Sequence, residues 1–155
     1  MNATARVVSL NRSRGGVPKL PVDEALVTAN GMEGDKQRDR RFHGGPDRAL
    51  CLYALELIDA LTAEGHSVTP GALGENITVS GLDWSLMRPG ARINIGAIEI
   101  EITAFASPCK NIRGYFLDEE MTRVSQKLHP GWSRVYARVL REGVIRIGDS
   151  VSLAP

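Results

Sequence analysis

Residues 91–105 read ARINIGAIEIEITAF, and this stretch decides the fold class. Isoleucine occupies every second position on both sides of a glycine–alanine pair, at Ile93, Ile95, Ile98, Ile100 and Ile102. Strict alternation of apolar and polar residues is typical of a strand with one buried face. A two-residue connection that begins with glycine favours a tight hairpin turn. The stretch therefore predicts two antiparallel strands joined at Gly96.

Similar short alternating segments recur along the chain and predict further strands, at residues 5–10, 24–29, 133–140, 144–147 and 150–153. Two segments have helical spacing instead. Residues 53–65 carry an apolar stripe that ends at Gly65, and residues 117–131 carry another that ends at Pro130. We expect a mainly β (β-rich α+β) fold, namely a mostly antiparallel β-barrel with a few short peripheral helices.

Length and composition narrow the class of protein. A chain of 155 residues is expected to form a single domain over residues 1–155. The formal net charge of +1 provides no overall field for nucleic acid or an acidic membrane, so neither is expected as a partner. No stretch approaches 18 apolar residues, and the first residues lack the apolar core of a secretion signal. We expect a cytoplasmic protein whose oligomeric state the sequence leaves open.

The segment between Lys36 and Arg48 is locally basic, with five basic residues against two acidic ones. Arg41, His43 and Arg48 surround the pair Gly44–Gly45. Glycine lets backbone N–H groups converge on an anion, and arginine binds phosphate oxygens in a bidentate manner. The segment predicts a phosphate or polyoxoanion site. The alternative is a solvated basic loop with ordinary turn residues.

Two further segments leave a binding and a structural interpretation open. Glu75 and Asn76 stand in a glycine-rich turn before a strand, where the asparagine amide either contacts a ligand or only caps the turn. Arg134 and Arg138 lie an even number of residues apart in a predicted strand and so share a face. Two interpretations are open: this face of the strand lines a pocket, or it lies in solvent.

The two cysteines have different surroundings. Cys51 lies between leucines and is expected to be a buried small hydrophobic residue. Cys109 follows Pro108, which lacks an N–H group and so ends strand pairing, and it precedes Lys110. A neighbouring lysine favours the thiolate, the form that attacks electrophiles and binds soft metals. The sequence thus predicts an accessible thiolate close to the basic segment.

With these loops described, the chain resembles the MOSC domain family, named for the C-terminal part of molybdenum-cofactor sulfurases. The resemblance covers about residues 20–154 and rests on four motifs in order: GDKQRDRRFHGGPDRALCLY, PGALGENITVSGL, PGARINIGAIEIEITAFASPCKN and GWSRVYARVLREGVIRIGDSV. It implies the same mostly antiparallel β-barrel that the periodicity indicates.

The resemblance also implies a cofactor and a set of site residues. The cofactor would be molybdopterin with its molybdenum, and Cys109 would be the metal ligand and the catalytic residue. The residues implied to hold the cofactor are Lys36, Arg41, His43, Arg48, Glu75, Asn76 and Lys110. Pyridoxal phosphate is not expected, because the larger sulfurases bind it in a separate domain.

Three functions are consistent with these residues. The first is a molybdenum-cofactor oxidoreductase that reduces small N-hydroxylated substrates with electrons from a donor protein. The second is a sulfur carrier or transferase that holds a persulfide on Cys109, and the third is a non-catalytic cofactor-binding module. The purely structural alternative is that Cys109 is an inert loop residue.

Overall fold

The computed structural model describes residues 4–35 and 46–155, and strands dominate both ranges. The strands are β1 (Arg6–Arg12), β2 (Leu20–Val22), β3 (Glu24–Thr28), β4 (Gly31–Met32), β5 (Leu50–Ala54), β6 (Ile77–Ser80), β7 (Arg92–Ile95), β8 (Ile98–Phe105), β9 (Val135–Arg141), β10 (Gly143–Arg146) and β11 (Val151–Leu153). The one α-helix in the described ranges is α1 (Leu55–Ala63). The mainly β class is confirmed.

The hairpin predicted from residues 91–105 is confirmed. Strands β7 and β8 pair antiparallel in a register that places Ile93 opposite Ile100 and Ile95 opposite Ile98. All of these isoleucines are fully buried. Gly96 connects the strands with a φ of 50°, a left-handed conformation that glycine adopts without steric cost.

The predicted barrel is wrong, because the sheets are open in the part of the chain that the structure describes. Eight strands form one sheet in the order β11-β7-β8-β9-β5-β6-β1-β2, and three form another in the order β10-β3-β4. A single bridge joins Arg6 to Ser150 near the start of β1, but no ladder connects the two edge strands β11 and β2. Alternation specifies which face of a strand is buried and leaves the pairing order undetermined, so it does not predict closure.

The core consists of two main apolar clusters. The larger is formed by the inward faces of the two sheets and includes the hairpin isoleucines. The smaller packs α1 against the connections on either side of it, around Tyr53, Leu61 and Leu73. It also contains Val124 and, at its edge, Trp132. The second cluster supports the loops that surround the site described below.

The helix predicted over residues 53–65 is confirmed, whereas the one over residues 117–131 is wrong. Two short 3₁₀ turns, Leu117–Glu119 and Met121–Val124, replace the second helix. Asp118 and Glu119 have φ angles of 53° and 58°, which interrupt a right-handed helix at its first turn.

No helix among the described residues is long and apolar enough to cross a membrane.

This irregular segment is held to α1 by Arg123. Its guanidinium donates to both carboxylate oxygens of Glu64, at 2.8 and 2.7 Å, and lies 3.8 Å from the centre of the Trp132 ring. A bidentate ion pair combined with a cation–π contact gives a specific geometry. Trp132 is therefore part of the packing between α1 and the segment before β9.

Candidate functional site

A pocket opens where loops from distant parts of the chain meet at the ends of β5, β6, β8 and β9. The described residues that line it are Gly16, Val17, Lys19, Arg48, Cys51, Leu73, Gly74, Cys109, Asn111, Ile112, Arg134 and Tyr136. The space between them has a volume of about 60 Å³ and is partly open to solvent. One water molecule needs about 10–15 Å³ of such space. The pocket therefore admits a small group or the end of a larger ligand.

Cys109 lies on the loop after β8, as the preceding proline predicted. Strand β8 ends at Phe105, and Cys109 immediately precedes a 3₁₀ turn over Lys110–Tyr115. The thiol is free and half-buried. The backbone conformation of Cys109 is extended, with φ −126° and ψ 161°. The loop thus presents one unpaired thiol at the wall of the pocket.

Arg134 lies beside this loop and is buried, with 3% of its surface exposed. Its Nη1 donates to the Leu73 carbonyl oxygen at 2.7 Å, and its Nη2 donates to the Ser107 carbonyl oxygen at 3.2 Å. These bonds connect β9 to the loop before β6 and to the loop that carries Cys109. A guanidinium that donates to two backbone carbonyl oxygens is fixed in place by neutral acceptors.

Lys19 contributes a second buried cation. Its Nζ lies 2.6 Å from Asp35 Oδ2, and the side chains are 6% and 2% exposed. Asp35 Oδ1 also accepts from the Ser13 amide at 2.8 Å. The Lys19 backbone is held by a bond from its amide to the Gly71 carbonyl oxygen at 2.9 Å. Gly71 has a φ of 87°, and a Cβ there would collide with the Lys19 carbonyl oxygen, so glycine is required.

Cys51 and Tyr136 form the inner wall of the pocket. They face each other in the β5–β9 register and pack with Ala106. Burial raises the pKa of the Cys51 thiol to about 11, although the nearby Arg134 charge opposes the shift. Burial likewise raises the pKa of Tyr136 to about 12. Both groups are protonated near neutral pH, and Cys51 is the buried residue that the sequence predicted.

The residues predicted for the site separate into three sets. Cys109 and Arg48 line the pocket, and the Arg48 guanidinium lies 5.1 Å from the centre of the Tyr136 ring. Lys110 is exposed and does not line the pocket, and Glu75 and Asn76 are fully buried behind it. Lys36, Arg41 and His43 lie outside the described residues.

Asn76 and one carboxylate oxygen of Glu75 have hydrogen-bond partners inside the protein, whereas Glu75 Oε1 is buried and has no partner among the described residues. Asn76 Oδ1 accepts from the Cys51 amide at 3.0 Å, and its Nδ2 donates to Asp35 Oδ2 at 2.9 Å. The Thr78 hydroxyl donates to Glu75 Oε2 at 3.1 Å. Burial raises the pKa of Glu75. Both side chains support the floor of the pocket from below.

It was not predicted from the sequence that Lys19 and Tyr136 line the pocket. The surroundings of Arg134 were left open. The spacing of Arg134 and Arg138 indicated a shared face but not its surroundings. Arg138 lies on the surface with its Nη2 2.6 Å from Glu101 Oε1, whereas Arg134 lies in the pocket. The signal available for Lys19 was a lysine between apolar residues in the glycine-rich segment GGVPKLPV, which is weak.

Comparison with known proteins gives consistent results. The model of the MOSC domain family matches residues 39–152. Protein YiiM of Escherichia coli (strain K12) is 31% identical over 146 residues, which cover 86% of this chain and 65% of that protein. Uncharacterized protein YflK of Bacillus subtilis (strain 168) is 30% identical over 140 residues, with coverages of 89% and 62%. The chain spans less than two thirds of the length of these two relatives.

A solved structure shows the same fold. The crystal structure of YiiM from Geobacillus stearothermophilus matches with a TM-score of 0.74 and 25% identity, covering 97% of this chain and 75% of that one. The chain thus contains a small β-rich domain with open sheets in its described part. A pocket at the loop ends of these sheets is lined by a cysteine and by buried cations. The chain belongs to the MOSC domain family, which is associated with binding of the molybdenum cofactor.

Proposed function

We propose that this protein binds the molybdenum cofactor in the pocket, with the Cys109 thiolate as metal ligand, and reduces small N-hydroxylated compounds. The observation that carries the proposal is the position of Cys109. Its free, half-buried thiol lines a pocket that also contains the buried cations Lys19 and Arg134. A thiolate beside fixed positive charge suits an anionic ligand that brings its own metal.

The donor set fits such a cofactor better than a metal ion bound by protein alone. Within residues 4–35 and 46–155 there is no group of three or more histidine, cysteine, aspartate or glutamate side chains able to hold a metal. A single thiolate holds a metal firmly only when another molecule supplies the remaining ligands. The sulfur atoms of the pterin would provide those ligands.

The residues of the chain have separate tasks in this proposal. Cys109 would bind the metal, and Arg48 with the basic segment that includes Lys36, Arg41 and His43 would hold the phosphate of the cofactor. Lys110, exposed beside Cys109, would add positive charge at the rim. Asn76 and Glu75 would act indirectly, because they are buried and support the pocket floor.

Reduction of an N-hydroxyl group breaks the N–O bond, consumes two electrons and two protons, and releases an amine and water. When bound, the cofactor supplies the two-electron chemistry that amino-acid side chains lack. The electrons would come from a donor protein. We further propose that residues 1–155 form a single domain and that the protein acts in the cytoplasm.

The first experiment measures molybdenum by mass spectrometry in protein purified anaerobically from a host that makes the cofactor. Wild type is expected to contain nearly stoichiometric metal, and Cys109→Ser little. Cys51→Ala is the matched control, because it removes the other thiol of the same pocket and should keep the metal. Absence of molybdenum from all three proteins, with the host's cofactor supply verified, would end the proposal.

A second assay addresses the reaction. The loaded protein is supplied with an artificial electron donor, reduced methyl viologen, and with an aromatic amidoxime as substrate. Formation of the amidine, lost in Cys109→Ser and kept in Cys51→Ala, is the expected result. Metal binding without any turnover would instead identify a non-catalytic cofactor-binding module.

Sulfur transfer is the second candidate function, and the pocket cations favour it as well. A persulfide on Cys109 would be anionic, and Lys19 and Arg134 would stabilise it as they would a thiolate. Cyanide attacks the outer sulfur of a persulfide, releases thiocyanate and leaves the cysteine thiolate. Thiocyanate release from wild type that disappears in Cys109→Ser, from protein without molybdenum, would establish the carrier function.

A further inference from the structure

We infer that Cys51 and Cys109 form a redox-sensitive thiol pair, in which oxidation joins the two sulfur atoms as a disulfide across the pocket. The oxidant is a small peroxide that reacts with Cys109, and Cys51 is the thiol that resolves the oxidised product. The disulfide removes the Cys109 sulfur from any ligand, so it switches the pocket off reversibly. The inference goes beyond the proposed function, because it applies to any role that needs a free thiolate at Cys109.

The first observation is that both cysteines of the chain line the same pocket. Both thiols are free, Cys51 is buried and Cys109 is half-buried. Burial is the main cause that raises the pKa of Tyr136, and the negative charges of ionised Cys51 and ionised Cys109 raise it further. The two sulfur atoms therefore both lie near enough to the Tyr136 phenol for their charges to act on it.

The second observation is that the sheet directs the loop of Cys109 over Cys51. Tyr136 of β9 lies opposite Cys51 of β5 on one side and opposite Ala104 of β8 on the other. Residues directly opposite each other share a face of the sheet, and adjacent strands lie about 4.8 Å apart. Ala106, just beyond the end of β8, packs with both Cys51 and Tyr136. The chain thus passes over Cys51 shortly before it reaches Cys109.

The third observation is that the start of this loop is fixed beside Cys51. The Ala106 amide donates to the Arg134 carbonyl oxygen at 2.9 Å, and Arg134 Nη2 donates to the Ser107 carbonyl oxygen at 3.2 Å. A disulfide requires Cα atoms about 4.4–6.8 Å apart. Because the pocket is partly open, Cys109 has room to approach Cys51 within that limit while the start of the loop stays in place.

The exposure of the two thiols assigns the steps of the reaction. The Cys109 thiolate attacks one oxygen of hydrogen peroxide, so the O–O bond breaks, an S–O bond forms and hydroxide leaves. The Cys51 sulfur then loses its proton and attacks the Cys109 sulfur, so the S–S bond forms, the S–O bond breaks and water leaves. The two thiols together lose two electrons, and one peroxide is reduced to two water molecules.

The surroundings of Cys51 suit a resolving thiol. Burial raises its pKa to about 11, so near neutral pH it is protonated and reacts slowly with peroxide itself. The positive charge of Arg134 opposes this shift and favours the thiolate when Cys51 attacks. Cys51 takes no part in binding a metal or in turnover, and it acts only after Cys109 has been oxidised.

The test uses the full chain from a host that makes no molybdenum cofactor, first reduced and then freed of reductant without oxygen. Hydrogen peroxide is added, free thiols are alkylated in denaturant, and the peptides are analysed by mass spectrometry. Wild type is expected to yield peptides linked through Cys51 and Cys109, which dithiothreitol separates. The ratio of this disulfide to Cys109 sulfinic acid should be about tenfold or more higher in the folded protein than in urea, because the pocket holds both sulfur atoms together.

Two variants separate the roles of the cysteines. Cys51→Val removes the resolving thiol, so Cys109 should accumulate sulfinic acid, which dithiothreitol does not reverse. Cys109→Ser should leave Cys51 reduced under the same treatment. The comparison of folded and unfolded wild type needs neither variant, so the inference stays falsifiable if one of them fails to fold.

Three results would overturn the inference. They are absence of the linked peptides from folded wild type, an equal ratio of disulfide to sulfinic acid with and without urea, and sulfinic acid at Cys109 of folded wild type beside a free Cys51. All of these measurements use protein without molybdenum. Failure to bind the metal would therefore leave them unaffected, and failure of this inference would leave the proposed function untouched.

Discussion

Asn76 and Cys51 are joined by two reciprocal hydrogen bonds. The Cys51 amide donates to Asn76 Oδ1 at 3.0 Å, and the Asn76 amide donates to the Cys51 carbonyl oxygen at 2.8 Å. The asparagine side chain thus acts as a backbone partner where the parallel strands β5 and β6 begin to pair. Asn76 therefore holds the strand that carries one wall of the pocket.

We predict that Asn76→Ala lowers the free energy of unfolding by about 2–3 kcal/mol, because the buried Cys51 amide and Asp35 carboxylate each lose a partner. Urea denaturation measures the change. Asn94→Ala, on the less buried face of β7, is the control and should cost no more than about 0.5 kcal/mol. Equal losses in the two variants would contradict a supporting role for Asn76.

A second prediction concerns the Lys19–Asp35 pair. Asp35→Ala leaves Lys19 as an unpaired buried charge and should cost about 3–5 kcal/mol in unfolding free energy. Glu24→Ala is the matched control, because the Glu24–Arg146 pair is 58% and 63% exposed. That exposed pair should contribute at most about 1 kcal/mol. If Asp35→Ala and Glu24→Ala lower the free energy of unfolding by similar amounts in thermal or urea unfolding, burial does not increase the contribution of the Lys19–Asp35 pair.

A third prediction is that stability falls in alkali because of Cys51. Its pKa rises from 9.0 to about 11 on folding, so between these values the native thiol keeps a proton that the unfolded thiol has lost. The contribution is fully present below pH 9 and is lost as the pH rises toward 11, by up to about 1.4 kcal/mol per pH unit. When the free energy of unfolding is measured with urea at a series of pH values, Cys51→Ala should show a weaker dependence on pH than wild type.

The variant Cys51→Val, which keeps an apolar side chain larger than alanine, provides the control for the loss of packing. Both variants lack the titrating thiol and should show the same flattened slope, although their absolute stabilities differ. Part of the decrease in stability with pH should remain at higher pH in both variants, because burial raises the pKa of Tyr136 to about 12. An unchanged slope in both variants would exclude Cys51 as the cause.

A fourth prediction tests the connection made by Arg123. Arg123→Met removes the bidentate pair with Glu64 and the cation–π contact with Trp132, and should lower the free energy of unfolding by about 1–3 kcal/mol. Arg113→Met is the control, because the Arg113–Glu119 pair is 58% and 66% exposed. If Arg113→Met is as destabilising as Arg123→Met, the contact with α1 has no particular importance.

The residues that were predictable from sequence are those whose surroundings depend on near neighbours. Ile98, Ile100 and Ile102 alternate with polar residues, so their burial on one face follows from the pleat of a strand. Pro108 removes a backbone donor and ends strand pairing, so a loop position for Cys109 also follows. The helix at Leu55–Ala63 was predictable because its stripe and its terminal glycine agree.

The predictions that were wrong required information from distant residues. Residues 117–131 have the apolar spacing of a helix. In the structure, however, Val124 is buried against the cluster around α1, while Leu128 is 59% exposed, so the apolar residues do not share one buried face. Tertiary contacts override a weak local preference in such cases. The order of strands in the sheet likewise depends on contacts between distant residues, and in residues 4–35 and 46–155 it leaves the sheet open.

The sequence by itself determined the hairpin of residues 91–105, the buried face of its strands and the position of one cysteine after a strand end, because these depend on spacing over a few residues. It did not predict the strands Leu20–Val22, Gly31–Met32 and Leu50–Ala54. Only the tertiary structure decided that Lys19, Arg134 and Cys109 line one pocket. They lie outside the strands, in connecting segments far apart in the chain, and the strand order brings them together. Whether an arginine is a surface charge such as Arg138 or a buried cation such as Arg134 depends on what packs around it.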